Sequence, residues 1–136
     1  MNQPKPIKFP THADGRGLLG VYEAGAAVPF EIKRVFTVSA MAGEARGHHA
    51  HKQCKQLMVC VAGKVRVKCD DGRAKSEFVL DGMSAGLLVE PGIWAMQEYL
   101  ADDSVLMVLC DRGYEADDYI RSYDDFKTFI GSGEAR

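Results

Sequence analysis

The feature that most limits what this chain can fold into is a series of short apolar segments, each followed by residues that favour turns. Residues 30–38 and 64–68 alternate apolar and polar side chains, which is the pattern of a strand whose two faces meet different surroundings. Residues 56–61 are almost continuously apolar. Further strands are predicted at residues 18–23, 76–80, 86–90, 94–99 and 104–110. Short strands at this spacing predict an all-β fold, either a sandwich or a barrel.

The turns and the C-terminal tail complete this pattern. Asp70-Asp71-Gly72 separates two predicted strands, and a glycine after aspartate tolerates the positive φ of a tight turn. Residues 114–130 differ, because acidic residues there precede aromatic and aliphatic ones, an order that is typical of helix starts. We therefore expect one or two short helices in the tail, and residues 1–136 as a single domain.

Composition argues against several classes of protein. The chain has 17 basic and 19 acidic residues and a formal net charge of −2, whereas a general nucleic-acid binder requires a basic surface. No segment approaches the ~20 apolar residues of a membrane span, and the N-terminus lacks the apolar run of a signal peptide. The four cysteines are scattered and predict reduced thiols, most of which fill core space. We expect a cytoplasmic protein that binds neither nucleic acid nor membranes.

Three of the four histidines fall within four positions, at His48, His49 and His51. Residues two apart on a strand point to the same side, so His49 and His51 should share a face and His48 should point the other way. Arg46 and Lys52 flank the pair. A same-face histidine pair between two cations favours a functional site over isolated surface or core histidines.

The spacing around this pair resembles the first cupin motif: Gly, five residues, His, one residue, His, three or four residues, Glu, six residues, Gly. Gly43, His49, His51 and Gly63 match, but Gln56 stands where the motif has glutamate. The second motif normally supplies a third histidine, and the corresponding segment at residues 91–97 has none. Protein metal centres usually need at least three side-chain ligands. Because His12 lies outside both motifs, we expect no metal and no other cofactor.

Nearly the whole chain, from about Lys8 to Phe129, also resembles the metal-free dTDP-4-keto-6-deoxyglucose 3,4-ketoisomerases. The resemblance is carried by residues 14–18, 29–35, 46–52, 59–63, 91–94 and 117–126. It implies a cupin-type β-barrel or jelly roll with a short helical C-terminus, and an isomerase of a nucleotide sugar in deoxysugar biosynthesis. It also implies a homodimer, in which residues 18–23 are a candidate for pairing or exchange. The chain departs from the family at Thr37, where relatives often have tyrosine.

Moving a carbonyl from carbon 4 to carbon 3 of a sugar requires a proton to leave carbon 3 and one to reach carbon 4, through an enediol or enediolate. Histidine suits this work, because its ordinary pKa of about 6.5 lets it accept and return a proton near neutral pH. We expect His51 to be the base and His49 its partner, although their order could be reversed.

Five further residues are expected to bind the substrate. Arg46 and Lys33 are candidates for the diphosphate, because their cations suit phosphate oxygens. Glu31 shares a predicted strand face with Lys33, and two charges on one face favour a cavity lining over a core. Arg16 resembles a loop residue near the sugar in the family. Trp94 either stacks on the base or sugar or packs in the core.

Three other functions remain open. A sugar-nucleotide 3,5-epimerase also abstracts a proton beside a ketone, but no aspartate partner is evident around the histidine pair. A ligand-sensing cupin without catalysis would bind the same substrate, and a turnover assay separates it from the isomerase. A metal-dependent dioxygenase comes third, and a metal analysis tests it.

Overall fold

The structure is a computed structural model and describes residues 2–131. Strands make up most of the regular structure, and one helix, α1, lies at the C-terminal end. The strands are β1 Lys5–Lys8, β2 Thr11–Asp14, β3 Gly17–Gly20, β4 Arg34–Ala40, β5 Ala45–His51, β6 Gln56–Ala62, β7 Val65–Asp70, β8 Lys75–Leu80, β9 Ala85–Val89, β10 Trp94–Tyr99, β11 Ser104–Cys110 and β12 Tyr119–Ile120. A single turn of 3₁₀ helix spans Ala116–Asp118, and α1 spans Tyr123–Gly131.

Two five-stranded sheets, in the orders β1-β9-β6-β11-β4 and β12-β5-β10-β7-β8, carry the fold. Their strands pair antiparallel, and the main core draws its side chains from both sheets, including β6 and β11 of the first and β7 and β10 of the second. The predicted all-β, cupin-type barrel or jelly roll is confirmed.

The continuous apolar run of β6 follows from burial on both faces. Met58 and Cys60 point into the core between the sheets. Leu57 and Val59 point the other way, into a second core that the N-terminal segment covers with Phe9. A strand buried on both sides has no polar face, so its sequence does not alternate.

Two N-terminal predictions differ from the structure. The strand expected at residues 18–23 is a separate hairpin of β2 and β3 that ends at Gly20. The strand expected from residue 30 begins at Arg34. Phe30 and Ile32 instead pack in the second core. The apolar residues before Arg34 therefore alternate because they pack against the outer face of the first sheet, and not because they form a strand.

The tail contains the predicted helices and an unpredicted strand. The 3₁₀ turn lies within residues 114–130 and α1 extends one residue beyond them, to Gly131, but β12 stands between the two and pairs with β5. α1 buries Phe126 against Ala50 and Ile120, on the outer face of the second sheet. Among the described residues, no helix is long and apolar enough to cross a membrane.

Candidate active site

A β-bulge in β5 sets the face on which each candidate residue of this strand lies. Ala95 of β10 pairs with His49, and Gln97 pairs with Arg46. Ala95 and Gln97 are two positions apart on β10, whereas their partners, His49 and Arg46, are three positions apart on β5. The extra residue lies at His48, which has a φ of 57° and is exposed. A bulge of this kind re-aims side chains, and here it turns Arg46 to the same side as His49.

Glycine makes this bulge possible. Gly47 has a φ of 93°, a conformation that side chains other than hydrogen disfavour. A Cβ at Gly47 would also stand 2.6 Å from Gln97 Oε1. His48 is exposed, as expected for a residue that faces away from His49.

The inner faces of the two sheets enclose a cavity of about 150 Å³. Its apolar wall comes from β4, β6 and β11, with Phe36, Met58 and Leu106 among its residues. Its polar side chains are Arg46, His49, Gln56, Gln97, Tyr99 and Tyr119. Cavities that combine an apolar wall with a few convergent polar groups are typical binding sites for small molecules. Gln56, the residue that departs from the cupin motif, lines the same cavity as His49.

His51 lies behind His49 and is bound to a carboxylate. It is 5% exposed, and its Nδ1 lies 2.8 Å from Asp118 Oδ2. A carboxylate only accepts hydrogen bonds, so the proton of a neutral His51 sits on Nδ1 and a lone pair remains on Nε2. Burial lowers the pKa of His51 below its ordinary 6.5, and the bond to Asp118 offsets this in part. The imidazole is therefore neutral near pH 7, and the contact is a hydrogen bond rather than an ion pair.

The loop after β5 holds the Asp118 carboxylate in place. The backbone N–H of Gln53 donates to Asp118 Oδ1 at 2.6 Å, and that of Cys54 donates to Oδ2 at 3.2 Å. With the bond from His51, the carboxylate accepts three hydrogen bonds while it is 8% exposed. This network fixes the ring of His51 in orientation and in tautomer.

The two histidine rings meet edge to face, with centroids 5.2 Å apart and an interplanar angle of 88°. Burial, followed by the nearby His51, lowers the pKa of His49 to about 4. His49 is therefore also neutral near pH 7. A neutral pair can exchange protons with a ligand without placing two positive charges side by side.

Tyr119 closes the cavity beside both histidines. Its ring centroid lies 4.4 Å from that of His51 and 5.1 Å from that of His49. Its hydroxyl accepts a hydrogen bond from Arg34 Nη2 at 3.2 Å. Asp118, Tyr119 and Arg34 are not among the site residues predicted from the sequence, although they lie within residues 117–126 and 29–35, which carry the family resemblance. That resemblance is the signal that could have identified them.

Two basic side chains, Arg121 and Lys52, lie on the outer side of Tyr119. A second cavity, of about 360 Å³, shares Tyr119 with the barrel cavity and is also lined by Lys52, Arg121 and Asp125. The guanidinium of Arg121 lies 4.5 Å from the centroid of the Tyr119 ring. Its charge also contributes to lowering the pKa of both histidines. An anionic group next to the barrel cavity would thus meet Arg121 and Lys52 in addition to Arg46.

Glu31 and Lys33 do not line the barrel cavity. Both precede β4 and form an ion pair with each other at 2.9 Å, with 77% and 52% of their side chains exposed, respectively. The inner face of β4 instead carries Phe36 and Val38, which line the barrel cavity. Thr37, the departure from the family, lies on the exposed face.

Arg16 and Trp94 are also outside the barrel cavity. Arg16 lies in the turn between β2 and β3, where its side chain is 93% exposed and 3.5 Å from Asp14. Trp94 lies on the outer face of β10, with its ring 5.4 Å from that of Tyr123 and 5.7 Å from that of Phe126. Of the two roles left open for Trp94, the structure shows packing, because α1 covers this face of the sheet.

One group of potential metal ligands occurs among residues 2–131. His51, Cys54 and Asp118 each offer a ligand atom within 4.8 Å of the others. The atoms of His51 and Asp118 that approach most closely already bond to each other, so a metal here would replace that bond. His49 and Gln56, at the cupin ligand positions, are not part of this group.

The His51–Asp118 bond also corrects one argument from the sequence. No aspartate partner was evident near the histidine pair, because Asp118 lies 67 residues from His51 along the chain. The absence of such a partner therefore no longer argues against a sugar-nucleotide epimerase.

Comparisons with known proteins identify relatives of this chain. A curated TDP-4-oxo-6-deoxy-alpha-D-glucose-3,4-oxoisomerase from Aneurinibacillus thermoaerophilus is 42% identical over 127 residues, covering 93% of this chain and 91% of the relative. A histidine-to-asparagine variant of the 3,4-ketoisomerase QdtA from Thermoanaerobacterium thermosaccharolyticum has been solved in complex with TDP-4-keto-6-deoxyglucose. It has a TM-score of 0.92 and 29% identity to this chain, over 97% of this chain and 96% of that one.

A more distant likeness shows the fold alone. The rmlC epimerase of Mycobacterium tuberculosis has a TM-score of 0.75 at 22% identity, over 85% of this chain and 66% of that one. A family match over residues 2–131 is more specific. The chain belongs to the family described as FdtA: WxcM-like, C-terminal.

Proposed function

We propose that this chain is a 3,4-ketoisomerase that converts TDP-4-keto-6-deoxyglucose into a TDP-3-keto-6-deoxyhexose. The observation that carries the proposal is the buried His51, whose Nδ1 is bound to Asp118 and whose Nε2 has no partner among the described residues. Such an imidazole is a preset base beside a cavity that suits a small molecule. The 42% identical relative, whose name gives this reaction, supports the substrate.

In the proposed mechanism, His51 Nε2 takes the proton from carbon 3, and the electrons of that C–H bond form the double bond of an enediolate. His51 then delivers a proton to carbon 4, while the hydroxyl proton passes from the oxygen on carbon 3 to the oxygen on carbon 4. The carbonyl has then moved and the oxidation states have exchanged within the sugar. Asp118 stabilises the imidazolium that exists between the two transfers.

We assign the base to His51 rather than His49 because His51 alone has a carboxylate partner among the described residues. The lowered pKa of His49 keeps that ring neutral beside the transient imidazolium. Its Nδ1 is buried and has no partner within residues 2–131. His49 is therefore the proposed relay for the hydroxyl proton, or the group that stabilises the enediolate oxygen.

The proposed diphosphate site centres on Arg46, which the bulge turns toward the cavity that His49 lines. Arg121 and Lys52 extend the cationic surface on the other side of Tyr119. Lys33, paired with Glu31 outside the barrel, is no longer part of the proposal.

A homodimer remains part of the proposal. Leu18 and Leu19, in the β2–β3 hairpin, are 45% and 59% exposed, and the hairpin is not hydrogen-bonded into either large sheet. Exposed leucines on an unpaired edge favour association with a second copy. We further propose that the enzyme is cytoplasmic and binds neither nucleic acid nor membranes.

The second candidate is a 3,5-epimerase, which the His51–Asp118 pair also favours, because a base beside a ketone serves both reactions. Incubation with TDP-4-keto-6-deoxyglucose in deuterated water, followed by carbon NMR, separates the two. A ketoisomerase moves the carbonyl signal to carbon 3. An epimerase leaves the carbonyl at carbon 4 and exchanges the hydrogen on carbon 5, and a sensor changes neither.

A further inference from the structure

Four buried side-chain nitrogen or oxygen atoms among the described residues have no hydrogen-bond partner: Arg34 Nε, His49 Nδ1, His51 Nε2 and Tyr99 Oη. Buried polar groups are almost always paired, because an unpaired one lowers stability. His49 and Tyr99 line the barrel cavity, the His51 ring lies against that of His49, and Arg34 bonds to Tyr119 in its wall. The proposed mechanism gives the two histidines a role and leaves two of the atoms, Arg34 Nε and the Tyr99 hydroxyl, unexplained; of these, Tyr99 lines the cavity itself.

The position of Tyr99 is fixed by the barrel. Its backbone N–H donates to the carbonyl of Glu44, and its carbonyl accepts from the N–H of Gly43, both at 2.8 Å. Its side chain belongs to the main core and the residue is 0% exposed. The hydroxyl therefore cannot turn to solvent for a partner without breaking the packing of the core.

Neighbouring polar side chains do not satisfy this hydroxyl. The amide of Gln56 donates to Cys110 Sγ at 3.8 Å, and the amide of Gln97 donates to Met58 Sδ at 3.9 Å. Burial raises the pKa of Tyr99, so the phenol keeps its proton and remains a donor near pH 7. A rigid donor in a cavity wall, with no acceptor in the protein, is suited to an acceptor on a ligand.

We infer that Tyr99 is a substrate-binding residue whose hydroxyl donates a hydrogen bond to an oxygen of the sugar in the barrel cavity. This inference rests on the proposed function, since a nucleotide-linked hexose supplies both an oxygen for the cavity and a nucleotide that remains outside it. Tyr99 thus contributes to recognition of the sugar and not of the nucleotide. A buried donor also rejects a sugar that lacks the matching oxygen, because the hydroxyl would then stay unpaired.

The test compares Tyr99→Phe with Tyr22→Phe, both in a His51→Asn background that prevents turnover. Tyr22 is the matched control, because its hydroxyl donates to the carbonyl of Met83 at 2.7 Å, away from the cavity. For each protein, calorimetry measures the affinity for TDP-4-keto-6-deoxyglucose and for TDP alone, and thermal unfolding measures the midpoint. Tyr99→Phe should weaken the affinity for the nucleotide sugar by about 10-fold and leave the affinity for TDP unchanged. The midpoint of thermal unfolding should stay the same or rise. Tyr22→Phe should lower the midpoint and leave both affinities unchanged.

The inference would be overturned if Tyr99→Phe lowered the unfolding midpoint and left the affinity for the nucleotide sugar unchanged. It would also be overturned if the affinities for the nucleotide sugar and for TDP fell equally. The proposed function is judged separately, from turnover by the unaltered protein. If that protein binds the nucleotide sugar in a Tyr99-dependent way but does not isomerise it, the ketoisomerase proposal fails and the role of Tyr99 stands. If it binds no nucleotide sugar, both fail.

Discussion

The substitution Asp118→Asn tests the central contact of the site, because it keeps the shape of the side chain and removes two acceptor positions. The carboxylate accepts from Gln53 N–H at 2.6 Å, from Cys54 N–H at 3.2 Å and from His51 Nδ1 at 2.8 Å. An asparagine offers one oxygen. If the new amide NH₂ faced Gln53, two N–H groups would oppose each other across the shorter of these contacts, which would cost the most. The asparagine oxygen should therefore stay at Gln53, and its amide nitrogen should face His51.

His51 would then accept at Nδ1 and carry its proton on Nε2, which removes the lone pair that takes the carbon 3 proton in the proposed mechanism. The equivalent tautomer error in a serine-protease triad lowers kcat by about 10⁴-fold, or about 5 kcal/mol of barrier. The fold should lose less. The Cys54 N–H, bonded to the carboxylate in the native protein, would lose its acceptor, at a cost of about 1–3 kcal/mol.

The assay combines kinetics, unfolding and nitrogen NMR of the His51 ring. We expect kcat to fall by about 10³–10⁴-fold, KM to change little, and the protonated nitrogen to move from Nδ1 to Nε2. Asp117→Asn is the matched control, since Asp117 is the exposed neighbour in the same 3₁₀ turn, and it should alter none of these. A folded Asp118→Asn enzyme with kcat within about threefold of the native value would refute the reasoning, as would a large loss with the tautomer unchanged.

Four further predictions follow from the same geometry. His51→Asn should slow exchange of the carbon 3 hydrogen with deuterated water by about 10²–10⁴-fold, whereas His48→Asn, in the exposed bulge, should cost far less; native-rate exchange in His51→Asn would exclude it as the base. Arg46→Ala should raise KM more than it lowers kcat, because phosphate is held equally in the ground and transition states; an equal loss in kcat would contradict this. Chelator treatment should leave turnover intact, and a loss that one added metal restores would show a metal enzyme. Because folding lowers the pKa of His49 to about 4, the unfolded chain takes up a proton at a higher pH than the folded protein does. The free energy of unfolding should therefore fall from pH 7 to pH 5, by about 2 kcal/mol from this group alone. Urea unfolding of His49→Asn should show a smaller drop, and an equal drop would contradict the assignment.

The sequence alone determined the class of fold and the position of two histidines on one strand. Alternation at a period of two marks strands with one buried face wherever a strand lies between core and solvent, and turn residues mark where the chain reverses. The strand at Trp94–Tyr99 was predicted with its observed bounds. His49 and His51 share a face because they are two apart on one strand, which needs no knowledge of the rest of the chain.

The tertiary structure decided what surrounds these histidines. Asp118 is bound to His51 across 67 residues, and β12 places Tyr119 against both rings only after it has paired with β5. The bulge at His48 brings Arg46 to the side of β5 that lines the barrel cavity, and strict alternation would have placed it on the opposite side. Helix α1 covers Trp94 and removes it from consideration as a stacking residue.

The physical reason is the same in each case. A hydrophobic pattern in the sequence indicates that one face of a strand is buried. It does not indicate which element covers that face, nor whether a β-bulge adds a residue to the strand. Those outcomes depend on contacts between distant segments, and a side chain such as Asp118 gains its role only when the loop after β5 and the strand β12 meet around it.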